Sequence, residues 1–288
     1  MRYLIEHRTR IEFEKPVREH QCELRIAPRA NGQNVLELEI ETDPRADLAS
    51  YIDAFGNTVS WFGIVEPHDS LSTSMRTRVE TALANPFDYE AVELQRERAW
   101  IDEALWREPS LWDFVLHRSP ATPELAKAPF AERYPTLLAG KPVLDSVQTA
   151  VAWIGEHFRY DAAATEVHST LAEVLEARAG VCQDFAHLLV AIVRSWGVPA
   201  RYAVGYLDPQ SVPGDEEVSG ATHAWAQVLI PGAGWRGFDA TNGLVVNDTY
   251  VCVAVGRDYV DAAPQRGSFK GADAGSKPEV SVEVTREG

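Results

Sequence analysis

Residues 182–197 read CQDFAHLLVAIVRSWG, and no other stretch limits the fold as strongly. Phe185, Leu189, Ile192, Val193 and Trp196 recur at helical spacing and give a broad apolar face. Gly180 and Gly197 bracket the segment as helix punctuation. Just upstream, STLAEVLEARAG predicts another helix, with Thr170 and Glu173 spaced as a capping box. Downstream, ARYAVGYL, THAWAQVLI and WRGFDATNG read as short strands. A helix so apolar, followed by strands, has to be buried against a sheet.

The rest of the chain divides by period. In residues 1–84, Tyr3, Ile5, His7, Thr9, Ile11 and Phe13 alternate with mostly charged neighbours. Cys22, Leu24 and Ile26 continue the pattern, as do Leu36, Leu38 and Ile40, then Leu71, Thr73, Met75, Thr77 and Val79. Period two at this density, broken by turn clusters, predicts an antiparallel β-sandwich-like N-terminal domain. Residues 85–288 form the second expected domain: a helical lead-in (85–160), core motifs (161–245) and C-terminal strands (246–288). In the lead-in, Val147, Val151, Ile154 and Phe158 make one helical stripe, and Trp100, Trp106 and Trp112 read as core or interdomain anchors. The fold class expected is α+β.

Composition excludes several functions. A formal net charge of −16 opposes nucleic acid and anionic membranes, both of which need a basic face. No stretch has the roughly 18–20 consecutive apolar residues of a membrane span, and the N-terminus lacks a signal-peptide core. Cys22, Cys182 and Cys252 are odd in number and widely spaced, so neither a disulfide framework nor structural zinc is expected. No metal or cofactor is expected, and the acidic loop at 213–220 lacks the spacing of a calcium loop. These features predict a cytoplasmic protein with reduced thiols.

Cys22 and Cys252 sit in strand patterns, where cysteine acts as a small hydrophobe. Cys182 is different. In the first turn of a helix, unpaired N–H groups and the helix dipole favour thiolate over thiol and can hold an oxyanion. A thiolate nucleophile works with a histidine, and that histidine with an orienting carboxylate. His223 opens the strand THAWAQVLI, and Asp239 closes the next one, so antiparallel pairing can bring them together.

GVCQDFAHLLVAIVRSWGVPARYAVGY followed by HAWAQVLIPGAGWRGFDATNG resembles the core of the transglutaminase-like superfamily, within the papain-like thiol enzymes. The matching features are the helix-start cysteine, the GVPAR strand entry, the HAW strand and the GW…FDAT strand. The β-rich first part and the VSVEVTR ending resemble the flanking regions of bacterial members. The resemblance implies Cys182 as nucleophile, His223 as general acid/base and Asp239 as its orienting partner. It also implies a second oxyanion donor upstream, for which Tyr160 is the candidate; Gln183 and Trp225 are candidates for substrate contact. The activity implied is acyl transfer through a thioester on a peptide or glutamine amide. Water as acceptor gives a protease or amidase, and an amine gives a transamidase. Two rival readings predict different behaviour. A non-catalytic peptide-binding module would tolerate loss of Cys182. An adaptor acting through the N-terminal β domain would keep its effect in residues 1–84 alone.

Overall fold

The N-terminal alternation becomes one long strand, β1 (Arg2–Leu24), which buries Tyr3, Ile5, His7, Thr9 and Phe13. The structure, a computed structural model, describes residues 1–125, 134–212, 221–271 and 276–287. Strands β2 (Gln33–Asp43), β3 (Ala49–Ile52), β4 (Thr58–Ile64) and β5 (His68–Thr81) join β1 in the antiparallel order β2-β5-β1-β4-β3. The first half of β1 pairs with β5 and the second half with β4. Between the halves the register slips, and Glu19 adopts a left-handed φ of 49° that turns the strand. β5 buries Leu71, Thr73, Met75, Thr77 and Val79, the face that period two predicts. β2 departs from expectation. Leu36 and Leu38 are exposed, because β2 is an edge strand whose register slips between Val35 and Glu37.

The lead-in contains α1 (Glu97–Arg107), α2 (Asp113–Leu116) and α3 (Val143–His157). α3 buries Val147, Val151 and Ile154 as its stripe predicts. The tryptophans do not act alike: Trp100 packs on the core, Trp112 is half exposed and Trp106 is 81% exposed. A helical reading of 122–134 falls largely on 126–133, outside the described residues. A two-stranded parallel ribbon of β6 (Arg159–Tyr160) and β7 (Ala179–Gly180) follows, with α4 (Leu171–Ala177) between them in sequence. The capping box of α4 forms: Glu173 N–H donates to Thr170 Oγ1 at 3.3 Å, and Thr170 N–H to Glu173 Oε2 at 2.7 Å. The helix stops at Arg178 rather than Gly180, with Arg178 itself at φ 50°.

α5 (Cys182–Ser195) is buried from Asp184 through Arg194. It packs on β8 (Ala200–Leu207) and β9 (His223–Ile230), which continue into β10 (Gly234–Asp239), β11 (Leu244–Val245) and β12 (Tyr250–Gly256). Their order is β11-β10-β9-β8-β12, antiparallel throughout. Ala226, Val228 and Ile230 meet α5 and α3 in one core cluster. A second cluster joins Tyr3, Ile5, Met75 and Val79 to Tyr202, Val204, Tyr206 and Val251. The N-terminal sheet and the core sheet therefore share a hydrophobic core. A buried relay reinforces the seam: Tyr206 OH donates to Ile26 O at 3.1 Å and accepts from His7 Nδ1 at 2.8 Å.

After the short α6 (Tyr259–Ala262), β13 (Gln265–Lys270) and β14 (Ser276–Glu287) both pair with β1. Strands from both sides of the expected division at residue 84 thus share one sheet. β12 belongs to the core sheet, but β13 and β14 complete the N-terminal sheet. The alternation in VSVEVTR specifies a strand, whereas its partner depends on the open edges that β1 offers across the fold. No helix among the described residues is long and apolar enough to cross a membrane.

Candidate active site

Cys182 begins α5, where the Cys182 and Gln183 N–H groups precede the first helical bond, Asp184 N–H to Val181 O at 3.0 Å. A buried carboxylate fixes that turn. Asp184 Oδ2 accepts from the Val181 N–H at 2.9 Å and from Thr165 Oγ1 at 2.6 Å. Burial raises the Asp184 pKa above the ordinary range, although these two donors oppose the shift. Valine has no side-chain acceptor, so only half of a capping box is possible here. Gly180 makes room for the arrangement: a Cβ there would lie 2.6 Å from Asp184 Oδ2. Cys182 is thus held, partly buried, at the end of a fully buried helix.

His223 starts β9 and Asp239 ends β10, and their antiparallel pairing puts the two termini side by side. His223 Nε2 lies 2.7 Å from Asp239 Oδ2, with 7% and 0% of the two residues exposed. Cys182 also acts on the imidazole, favouring its charged form. With Nε2 engaged by the carboxylate, Nδ1 is the ring nitrogen left for a second partner. Burial by itself would lower the His223 pKa, but the charge and hydrogen bond of Asp239, helped by Cys182, push it up to about 10.

Asp239 is saturated with donors. Oδ2 also accepts from Asn242 Nδ2 at 2.7 Å and from Tyr250 OH at 2.8 Å. Oδ1 accepts the N–H groups of Thr241 at 2.9 Å and Asn242 at 3.2 Å. Burial opposes ionisation, yet His223 and these donors hold the carboxyl below its ordinary range. The proton stays on the imidazole, and the carboxylate cannot swing away from it.

The remaining predicted residues fare differently. Tyr160 is 44% exposed and pairs with Gly180, two residues from the thiol. Gln183 Nε2 donates to Val167 O at 2.8 Å, which ties it to the loop before α4. Trp225 is buried, at 1% exposure. It stacks against His223 with ring centroids 6.4 Å apart and meets Tyr250 edge-on at 5.4 Å. Its position on the His223 face of β9 was legible, but its burial depends on Tyr250, from another strand. His187 is buried, and its Nε2 accepts the Tyr259 N–H at 3.0 Å. Asp184, Thr165, Asn242 and Tyr250 escaped the sequence reading. Asp184 had a signal, an acid three residues after the helix N-cap, while Thr165 and Tyr250 arrive by tertiary contact alone. Among the described residues no group of three His, Cys, Asp or Glu side chains is arranged to hold a metal. The loop at 213–220 lies outside them.

Comparison with known proteins agrees with this architecture. Residues 135–240 match the family described as the transglutaminase-like superfamily, and residues 3–80 match the bacterial transglutaminase-like N-terminal region. An uncharacterized protein of Mycobacterium leprae is 33% identical over 289 residues, covering 99% of each chain. Another, from Mycobacterium tuberculosis, is 32% identical and covers 98% of this chain and 92% of its own. A solved Cytophaga hutchinsonii structure, described as "a putative cysteine protease", has a TM-score of 0.76 and 24% identity. It covers 99% of this chain and 90% of that one, a likeness of fold. The similarity thus runs through both sheets and the helix between them, and the chain belongs to the transglutaminase-like superfamily in its bacterial form, with the N-terminal region attached.

Proposed function

We propose that this protein is a cysteine-nucleophile acyl-transfer enzyme acting on peptide or glutamine amides. The observation that carries the reading is the His223 imidazole, bonded at 2.7 Å to a fully buried Asp239 and held in its charged form by that carboxylate with a further contribution from Cys182. In the first step the Cys182 thiolate attacks the amide carbonyl, and the oxyanion forms beside the first-turn N–H groups of α5. Tyr160, on the ribbon next to Gly180, is the proposed second donor. Protonated His223 gives its proton to the departing nitrogen, the C–N bond breaks and a thioester remains. Water or an amine then attacks the thioester while His223 takes its proton. The C–S bond breaks, leaving thiolate and imidazolium restored. Asp239 keeps the imidazole oriented throughout. No cofactor enters this sequence of steps. The partners proposed are a peptide or protein substrate and, for transamidation, an amine acceptor. All three cysteines are free, which fits a reducing cytoplasmic setting.

The test is to incubate the protein with peptide libraries and a labelled amine, trapping the acyl-enzyme by mass spectrometry. A thioester on Cys182, resolved by water or amine, is the expected result. Cys182→Ala should lower turnover by at least about 10³-fold. Turnover that survives this substitution overturns the proposal.

A further inference from the structure

A cavity of about 370 Å³ lies between the N-terminal sheet and the core sheet, lined by Gln33, Arg201, Trp225, Gln227, Trp235 and Tyr250 among others. Arg201 closes the GVPAR motif and is 8% exposed. Its Nε donates to Gln227 Oε1 at 2.8 Å, and its guanidinium lies 4.0 Å from the Trp235 ring centroid. Among the described residues neither Nη atom makes a hydrogen bond, and no carboxylate comes within ion-pair distance. Arg29, also buried, bonds Asn57 Oδ1 and Phe55 O, again with no carboxylate partner. Its charge adds to burial in pushing the Arg201 pKa down to about 9. Glu108 opposes this shift only from a distance, and two buried cations without a directly paired carboxylate are a costly arrangement in a chain of net charge −16. Such a cost is relieved when an anion enters from outside.

We propose that the cavity is a binding site for a small organic carboxylate, which takes the two free Nη groups of Arg201. A guanidinium fork meets two carboxylate oxygens in parallel. The Trp235 and Tyr250 rings offer apolar walls for the rest of the molecule, and the Gln227 amide offers a further donor. Asp248, also on the wall, disfavours a more highly charged anion such as phosphate. The site is separate from Cys182, although Tyr250 borders it and donates to Asp239.

The experiment is calorimetric and fluorescence titration of the full chain with glutarate, L-glutamate and 3-phenylpropionate, and with inorganic phosphate. The neutral amides glutaramide and 3-phenylpropionamide are the matched controls. At least one carboxylate should saturate, at least about tenfold more tightly than its amide and than phosphate, since charged hydrogen bonds contribute about 1.5–3 kcal/mol. Arg201→Gln should weaken binding by a similar factor. Asn31→Trp, at an exposed position on the lining, should block entry without touching Arg201. Cys182→Ala should bind normally, which separates this site from the acyl-transfer reading. Absence of saturation with all three carboxylates overturns the proposal, as does equal binding of acid and amide. Tighter phosphate binding overturns the ligand class. Should Arg201→Gln fail to fold, the amide controls and Asn31→Trp decide.

Discussion

Three cysteines in one chain carry three different environments, and reactivity follows from that contrast. Burial pushes the Cys22 thiol up to about 12, and Cys252 is likewise raised by burial despite the nearby charges of Arg29 and Arg201. Cys182 has first-turn amides and a charged imidazole instead. Iodoacetamide at near-neutral pH should therefore label Cys182 well ahead of the other two, and His223→Gln should slow that labelling; peptide mapping reads both. Equal, slow labelling of all three would remove the case for an activated thiol. The His223–Asp239 pair makes a second prediction, through stability. The folded His223 pKa of about 10 lies above the unfolded value near 6.5. Its stabilising contribution is therefore complete below about pH 6.5 and is lost as pH rises toward 10. In a Cys182→Ala background, which removes the smaller Cys182 contribution and leaves that of Asp239, the unfolding free energy from urea titration should still fall as pH rises above about 6.5, by at most about 1.4 kcal/mol per pH unit. The same protein with His223→Gln should show a flatter profile over that range. Parallel profiles would mean that the folded protein does not retain the proton.

At the scale of elements, the start of α5 depends on packing between Gly180 and Asp184 as much as on helix propensity. Gly180→Ala would drive a methyl group to within 2.6 Å of Asp184 Oδ2 and 2.9 Å of its Cβ. We expect a loss of about 1–3 kcal/mol in chemical denaturation, as for other overpacked sites, and reduced turnover because Cys182 shifts with its turn. Gly155→Ala is the control. This helical glycine of α3 has nothing within 4 Å of its Cβ position, so the change should stabilise by about 0.5–1 kcal/mol. Such local features were partly legible in the sequence. The capping box at Thr170, the apolar face of α5 and the stripe on α3 are short-range patterns with fixed spacing, and each appears as read. So does the meeting of His223 and Asp239, which needed only two strands and a turn. The donors that Thr165 and Tyr250 supply were not legible, because they are set by loops and strands whose approach has no local spacing rule. The burial of Trp225 and the exposure of Trp106 fail for the same reason: an aromatic residue in sequence does not reveal what will cover it.

For the molecule as a whole, the partner of each terminal strand decides what can fold alone. Alternation identified the first 84 residues as β and VSVEVTR as a strand, but not that the two belong to one sheet. β14 pairs with β1 from Arg2 to Phe13, opposite the edge that β5 occupies, and β13 pairs with the other half of β1. The buried face of this sheet then packs on Tyr202, Val204, Tyr206 and Val251 of the core sheet. A fragment of residues 1–84 would lack both C-terminal strands, exposing the backbone edge of β1, and would leave Tyr3, Ile5, Met75 and Val79 facing water. Burying a single large apolar side chain is worth about 1.5–3 kcal/mol, and net stability is only about 5–15 kcal/mol. Losing several such contacts at once should therefore leave the fragment unfolded or aggregated. Circular dichroism and urea titration of the fragment beside the full chain would test this. A cooperative transition in the fragment would mean that the N-terminal sheet is a separate domain, able to carry an adaptor role without the core sheet. Its absence, with restored folding when 1–84 is fused through a flexible linker to residues 264–288 and mixed with residues 85–263, would place the N-terminal sheet within the same cooperative unit as the Cys182 site.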